Sequence, residues 1–209
     1  MRAALVAVVA MGVLGAAFGA GVLARPHVAA VVRSVVPAPV TVSPRATQHD
    51  PSGAFDLVML GDSLSDHGRW AELGDWRVAN RGLGGDTVAM AAARVGTLPE
   101  GPVALMVGIN DLGRSRSVDA VAADYDALLD RLGDRPVIVQ SVLGPASLPV
   151  TELNGRLRAL AEARGHSWLD LTPVLGHPIR PDYTYDGIHL TAPAYAAWAQ
   201  ALREVVPDR

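Results

Sequence analysis

From Phe55 onward the chain alternates short apolar runs with stretches in which apolar residues return every three or four positions. The runs predict strands at Asp56–Leu60, Arg77–Asn80, Val103–Val107, Val137–Ser141 and Trp168–Asp170. The periodic stretches predict helices at Thr87–Gly96, Val118–Leu132, Pro149–Arg164 and Ala192–Val205. In the second helix Val121, Tyr125, Leu128, Leu129 and Leu132 make one apolar stripe, the pattern of a helix with one buried face. Strands that are apolar almost throughout, separated by helices, indicate an α/β fold with a parallel sheet covered on both faces. Ligands of such sheets sit beyond the carboxyl ends of the strands. Ser63, Gly82–Asp86, Gly108–Asp111 and the residues after Trp168–Asp170 all lie past predicted strand ends.

The first 54 residues follow a different pattern. Residues 3–24 contain no charged side chain and are bracketed by Arg2 and Arg25. As a helix they would span about 33 Å, enough for a bilayer core. The apolar region of a secretory signal is shorter, about 7–15 residues. The triplets Ala17-Phe18-Gly19 and Val22-Leu23-Ala24 nevertheless offer cleavage sites. Residues 1–25 are therefore read as a signal peptide or an N-terminal membrane anchor, with residues 3–24 as a possible tether. Either outcome places the folded part outside the cytoplasm. Residues 26–54, with Pro37, Pro39, Pro44 and Pro51, read as a Pro/Ser/Thr-rich linker. Residues 55–209 are then the folded domain.

Composition removes several function classes. Half the residues are hydrophobic, which allows a sizeable core. Cysteine is absent, which excludes disulfides, thiolate metal sites and a cysteine nucleophile. The net charge is −3. Four of the basic residues (Arg2, Arg25, Arg33, Arg45) precede the domain, so the domain itself is more acidic than the whole chain. A nucleic-acid binder would show a basic face instead. No His-x-x-x-His or comparable cluster suggests a metal site, and none is expected.

Four short segments carry candidate chemistry. Gly61-Asp62-Ser63-Leu64-Ser65 follows the first strand, so a serine hydroxyl can face the cleft. The same residues would also suit an ordinary capped helix start. Asn80-Arg81-Gly82-Leu83-Gly84-Gly85-Asp86-Thr87 is glycine-rich enough for backbone amides to approach a ligand, although a plain turn fits too. Its glycine spacing is not that of a dinucleotide fingerprint. Gly108-Ile109-Asn110-Asp111 offers a carboxamide that donates hydrogen bonds without ionising, or an Asx-type turn. Asp186-Gly187-Ile188-His189 places a carboxylate three residues before an imidazole, within reach if Gly187 lets the chain curl. Asp182 is the fallback partner for His189, and His67 a competing base near Ser63. A serine hydroxyl needs an imidazole to take its proton and a carboxylate to fix the imidazole tautomer. Trp70, Trp76 and Tyr185 are read either as platforms for a sugar ring or as packing residues.

Taken together the four segments resemble the SGNH (GDSL-type) hydrolase family, over residues 55–206. The strings Asn80–Thr87, Gly108–Leu112 and Tyr185–Leu190 resemble its platelet-activating-factor acetylhydrolase-like and carbohydrate acetylesterase-like branch. The resemblance implies a flavodoxin-like three-layer α/β/α sandwich with a sheet of about five strands and no cofactor. It implies Ser63 as nucleophile, His189 as base and Asp186 as its orienter, with an oxyanion hole from Ser63 N–H, Gly85 N–H and the Asn110 side chain. The substrate implied is a small-molecule, glycan or lipid ester. The short connection between Ser141 and Asn154 favours a shallow cleft and short acyl groups. An acyltransferase acting on a cell-envelope glycan, or a surface module that binds glycan without chemistry, are the rival expectations.

Overall fold

The structure, a computed structural model, describes residues 54–206. The expected signal or anchor segment, and the linker up to residue 53, lie outside the described residues. Among the described residues no helix is long and apolar enough to cross a membrane.

Five strands form one sheet: β1 Leu57–Gly61, β2 Val78–Gly82, β3 Val103–Met106, β4 Val137–Gln140 and β5 Ser167–Leu169. Their order is β2-β1-β3-β4-β5 and every pairing is parallel. This is the flavodoxin-like order, in which the chain reverses its direction of winding between β1 and β3. All five expected strands are present, each within one or two residues of its predicted ends. The three central strands are fully buried along their length, as their nearly continuous apolar sequences require, with Gln140 at the end of β4 the one polar residue. Edge strand β2 alternates instead: Ala79 and Arg81 are buried, and Val78, Asn80 and Gly82 are half-buried.

The helices are α1 Ser63–Asp66, α2 Val88–Ala93, α3 Ile109–Gly113, α4 Val118–Leu132, α5 Val150–Ala163, α6 Thr172–Leu175 and α7 Ala192–Val205. The predicted helix at 87–96 is shorter than expected: α2 stops at Ala93 and a 3₁₀ turn covers Val95–Thr97. On one face of the sheet, Val58, Leu60, Val103, Leu105, Val137 and Val139 pack against the stripes of α2, α4 and α5. Alternation sends Leu57, Met59, Ala104 and Ile138 to the opposite face, where they are also buried. There α7 contributes Tyr195, Trp198 and Leu202, and Trp198 Nε1 donates to Gln140 Oε1 of β4 at 2.6 Å. The result is three layers, with the carboxyl edge of β1, β2 and β3 gathering the loops that hold the candidate side chains.

Candidate active site

Three of the four candidate segments leave strands at this carboxyl edge, after β1, β2 and β3, and Asp186–His189 lies in the connection between α6 and α7. β1 ends at Gly61, and Asp62 caps α1 by accepting the Leu64 N–H through Oδ1 at 3.0 Å. Ser63 is thus the first residue of a one-turn helix. That turn is held from several directions. Tyr195 Oη of α7 donates to Leu64 O at 2.9 Å, Trp70 Nε1 to Ser65 O at 3.3 Å, and Asn80 Nδ2 to Asp66 O at 3.1 Å. β2 ends directly against it: a Cβ on Gly82 would lie 2.2 Å from the Asp66 backbone nitrogen. No side chain fits there, so glycine is required for α1 and β2 to approach this closely.

The last segment reaches Ser63 from 126 residues away in sequence. His189 Nε2 lies 3.1 Å from Ser63 Oγ, and His189 Nδ1 lies 2.6 Å from Asp186 Oδ2. Asp186 Oδ1 accepts two further bonds, from the N–H of Ile188 at 2.9 Å and of His189 at 2.7 Å. The curl that permits this uses Gly187 at φ +89°, a conformation that favours glycine. The Thr184 hydroxyl closes the loop, donating to His189 O at 2.7 Å and accepting from Gly187 N at 2.9 Å. Burial works to raise the Asp186 carboxyl, but the bonds from the His189 ring and from two backbone amides outweigh it. The carboxyl is held below the usual range, so it stays ionised in mild acid.

The glycine-rich segment lies beside the serine. A Cβ on Gly84 would come within 3.9 Å of Ser63 Cβ, and Gly84 N donates to Asp66 Oδ2 at 3.2 Å. Gly85 takes φ +83°. Among the described residues, neither Ser63 N nor Gly85 N donates to a protein group. Asn110, almost fully buried at the start of α3, gives one Nδ2 hydrogen to Asp86 O at 2.9 Å. A carboxamide nitrogen carries two hydrogens, so this bond fixes Asn110 and leaves the second free.

Other sequence candidates go elsewhere. The Asp182 carboxylate pairs with Arg180 at 3.2 Å, and that bond holds it below the usual carboxylate range. His67 lies near the site, its ring centroid 5.3 Å from that of His189, yet the imidazole bonded to Ser63 Oγ is that of His189. Trp70 is buried and packs edge-to-face on Trp198 at 4.9 Å, which makes it a packing residue and not a sugar platform. Trp76 precedes β2 at the opposite edge of the sheet, where Arg203 sits over its ring at 5.8 Å. Tyr185 alone is available: it is 66% exposed and stacks beside His189 with ring centroids 5.8 Å apart.

Behind the site lies a layer of buried carboxylates, Asp62, Asp86 and Asp111. Asp86 pairs with Arg94 Nε at 3.0 Å. Asp111 accepts from Val88 N at 2.9 Å, which anchors the start of α2, and from Arg116 Nη1 at 3.1 Å. Arg114 Nη2 reaches Gly85 O at 3.4 Å. These contacts join residues 5 to 29 positions apart and leave no periodic trace in the sequence. Burial pushes the Asp62 carboxyl up to about 7; the Leu64 N–H opposes this, while Asp86 and Asp111 add to it. Between pH about 4 and 7 the folded chain therefore holds a proton that the unfolded chain has released, and stability falls as pH rises through that window. The gap from 3.8 to about 7 is worth roughly 4 kcal/mol. Asp62→Asn keeps the oxygen that caps α1 and removes the charge. It should raise the melting temperature by several degrees at pH 8 and change it little at pH 4. Equal shifts at both pH values would contradict a protonated Asp62.

The sequence matches the GDSL-like Lipase/Acylhydrolase family over residues 59–197. No curated protein matches the chain. Among solved structures, a Streptococcus pneumonia protein named for platelet activating factor superposes with a TM-score of 0.70 at 17% identity, covering 99% of this chain and 100% of its own. A catalytic mutant of an acetylxylan esterase from Geobacillus stearothermophilus gives 0.63 at 18% identity, covering 76% and 97%. A carbohydrate acetylesterase from Sinorhizobium meliloti gives 0.60 at 20% identity, covering 71% and 96%. At these identities the superpositions speak for the fold. The family match, over most of the chain, is the stronger finding: this protein belongs to the GDSL-like lipase/acylhydrolase family and is an esterase.

Proposed function

We propose that the protein is an exported serine esterase that removes short acyl groups using Ser63, His189 and Asp186. The observation that carries this reading is the unbroken hydrogen-bonded chain from Ser63 Oγ through both nitrogens of His189 to Asp186 Oδ2. Ser63 Oγ attacks the ester carbonyl carbon while its proton passes to His189 Nε2. Asp186 holds the other proton on Nδ1, which keeps Nε2 available, and stabilises the imidazolium that forms. The carbonyl oxygen becomes an oxyanion that takes hydrogen bonds from Ser63 N–H, Gly85 N–H and Asn110 Nδ2. Collapse breaks the bond to the alcohol, whose oxygen takes the proton from His189. Water then attacks the acyl-enzyme, giving its proton to His189, and the Ser63 oxygen takes that proton as the acid departs.

Replacing Asn110 by Ala should lower kcat by about 10²–10³ with a much smaller change in KM, because its bond strengthens as charge develops on the oxygen. Steady-state kinetics on p-nitrophenyl acetate measure this, and an unchanged kcat would remove Asn110 from the oxyanion hole.

Short acyl groups fit the connection between β4 and α5. Residues Ser141 to Gly144 are buried, and Asn154 locks Val142 by accepting from its N–H at 2.8 Å and donating to its carbonyl at 3.0 Å. A Cβ on Gly144 would press on the Ile109 side chain at 2.4 Å, so the first half of this connection is packed down against α3. The acetylesterases among the structural neighbours make acetyl the first acyl group to try. Export rests on the uncharged run at residues 3–24. The test is a series of p-nitrophenyl esters from acetate to palmitate, with Ser63→Ala as the blank. Turnover should be highest for acetate and fall with chain length. A maximum at long chains would overturn the short-acyl reading.

A further inference from the structure

A cleft of about 230 Å³ lies between α5 and the end of β5. Asn154, Gly155 and Arg158 of α5 line it together with Trp168, Asp170 and His177. Nothing in the ester chemistry uses these residues. The cleft is smaller than the roughly 300–1,000 Å³ that drug-sized ligands occupy, so it suits a single ring.

Its chemistry is mixed in sign. Arg158 is a pure donor, with Nε committed to Glu162 at 2.7 Å and its other guanidinium nitrogens without a hydrogen bond among the described residues. Asp170 holds Thr172 through Oδ1 and keeps Oδ2 as an acceptor. His177 Nδ1 is buried with no hydrogen-bond partner among the described residues. Trp168 packs one side on the core and presents the rest to the cleft. Donors and acceptors around an aromatic wall match a ring with hydroxyls on its rim and C–H groups on its face. A phosphate or carboxylate would meet the Asp170 and Glu162 carboxylates next to its one arginine.

Gly155 points the same way. It sits inside a 14-residue helix, where glycine is among the poorest choices, and a Cβ there would have nothing within 4 Å. No packing constraint therefore demands glycine. What its missing side chain does is leave the cleft open.

We propose that this cleft binds one neutral sugar unit of a polymeric, acylated carbohydrate whose ester is presented to Ser63. The inference rests on the esterase reading above and adds to it the alcohol side of the substrate. β5 is three strands from β1 in the sheet order, about 14 Å across at the usual strand spacing. Asp170 and Thr172 of the cleft follow the carboxyl end of β5, the edge at which Ser63 follows β1. A ligand that occupies both is a chain of several linked rings, with the acylated one at Ser63.

The test is calorimetric titration of the full chain carrying Ser63→Ala with xylo-, cello- and chito-oligosaccharides. At least one series should bind, and Gly155→Phe in the same background should weaken that binding at least tenfold while the melting temperature holds. Arg158→Ala, on the exposed rim, is the second variant, and it should weaken the same binding several-fold. Absence of binding by all three series, or equal binding by the blocked chain, would overturn the inference. Turnover of p-nitrophenyl acetate by the wild-type chain judges the esterase reading separately, and Gly155→Phe should leave it unchanged. Loss of that turnover in the wild type would sink the esterase reading while the sugar titration still answered for the cleft.

Discussion

Ser63→Ala is expected to lower ester turnover by about 10⁶, to the level left by binding and oxyanion stabilisation alone. The size follows from how the three side chains act as a unit. With Oγ gone, His189 has no proton to accept, and Asp186 orients an imidazole with no task. Water in place of the hydroxyl would lack the positioning that α1 gives. That helical turn is fixed by Tyr195, Trp70 and Asn80, none of which bonds to Ser63 Oγ, so the substitution removes one atom and leaves the frame intact. Initial rates on p-nitrophenyl acetate, with circular dichroism to check the fold, measure the effect. A residual rate within tenfold of wild type would mean that another group is the nucleophile.

Asp186→Asn should cost about 10⁴ in kcat, and it does so by a different route. Asp186 Oδ1 accepts from the backbone of Ile188 and His189, and an asparagine oxygen can keep both bonds, so the loop survives. At the Oδ2 position, however, a nitrogen now faces His189 Nδ1 and donates to it. The ring must then carry its proton on Nε2, pointing at Ser63 Oγ, and it can no longer act as a base. Asp182→Asn is the matching control. Its carboxylate pairs with Arg180 on the surface, and such exposed pairs contribute little. A large loss from Asp182→Asn with little loss from Asp186→Asn would show that Asp182, not Asp186, orients the histidine.

The fold was legible because its signals are long and periodic. The α4 stripe from Val121 to Leu132 places one face of a helix in the core, and both ends of that helix match the expectation. The central strands were plain for a related reason: β1, β3 and the first three residues of β4 are an apolar run because both sheet faces are covered. The short elements were not legible. α1, α3 and α6 have four or five residues each, too few for a helical period to register, and tertiary contacts hold them. The same divide runs through the site. Ser63, Asp186 and His189 stand in short motifs whose local geometry supports their roles, down to the positive φ at Gly187. The Arg94, Arg114 and Arg116 contacts that brace the glycine-rich loop and Asp111 cross between elements. Nothing in the order of residues announces them. Trp70 and Trp76 show the reverse error, since nearness in sequence to a site segment did not bring their rings to the cleft.

The acidity of the buried layer links stability to the site. Asp62 precedes Ser63 and sits with Asp86 and Asp111 out of contact with solvent. The turn that holds Ser63 is thus capped by a carboxyl that burial pushes up to about 7. Asp186, nearer the surface, is moved in the opposite direction by the bonds it accepts. Two carboxyls in one protein are set apart by environment alone.

The most direct test treats the wild-type chain with a fluorophosphonate and maps the adduct by peptide mass spectrometry. The hydrogen-bonded chain from Ser63 to Asp186 calls for one adduct, on Ser63, appearing as ester turnover disappears and abolished by Ser63→Ala. Turnover lost with the adduct on a different residue, or complete Ser63 labelling with turnover intact, would contradict it.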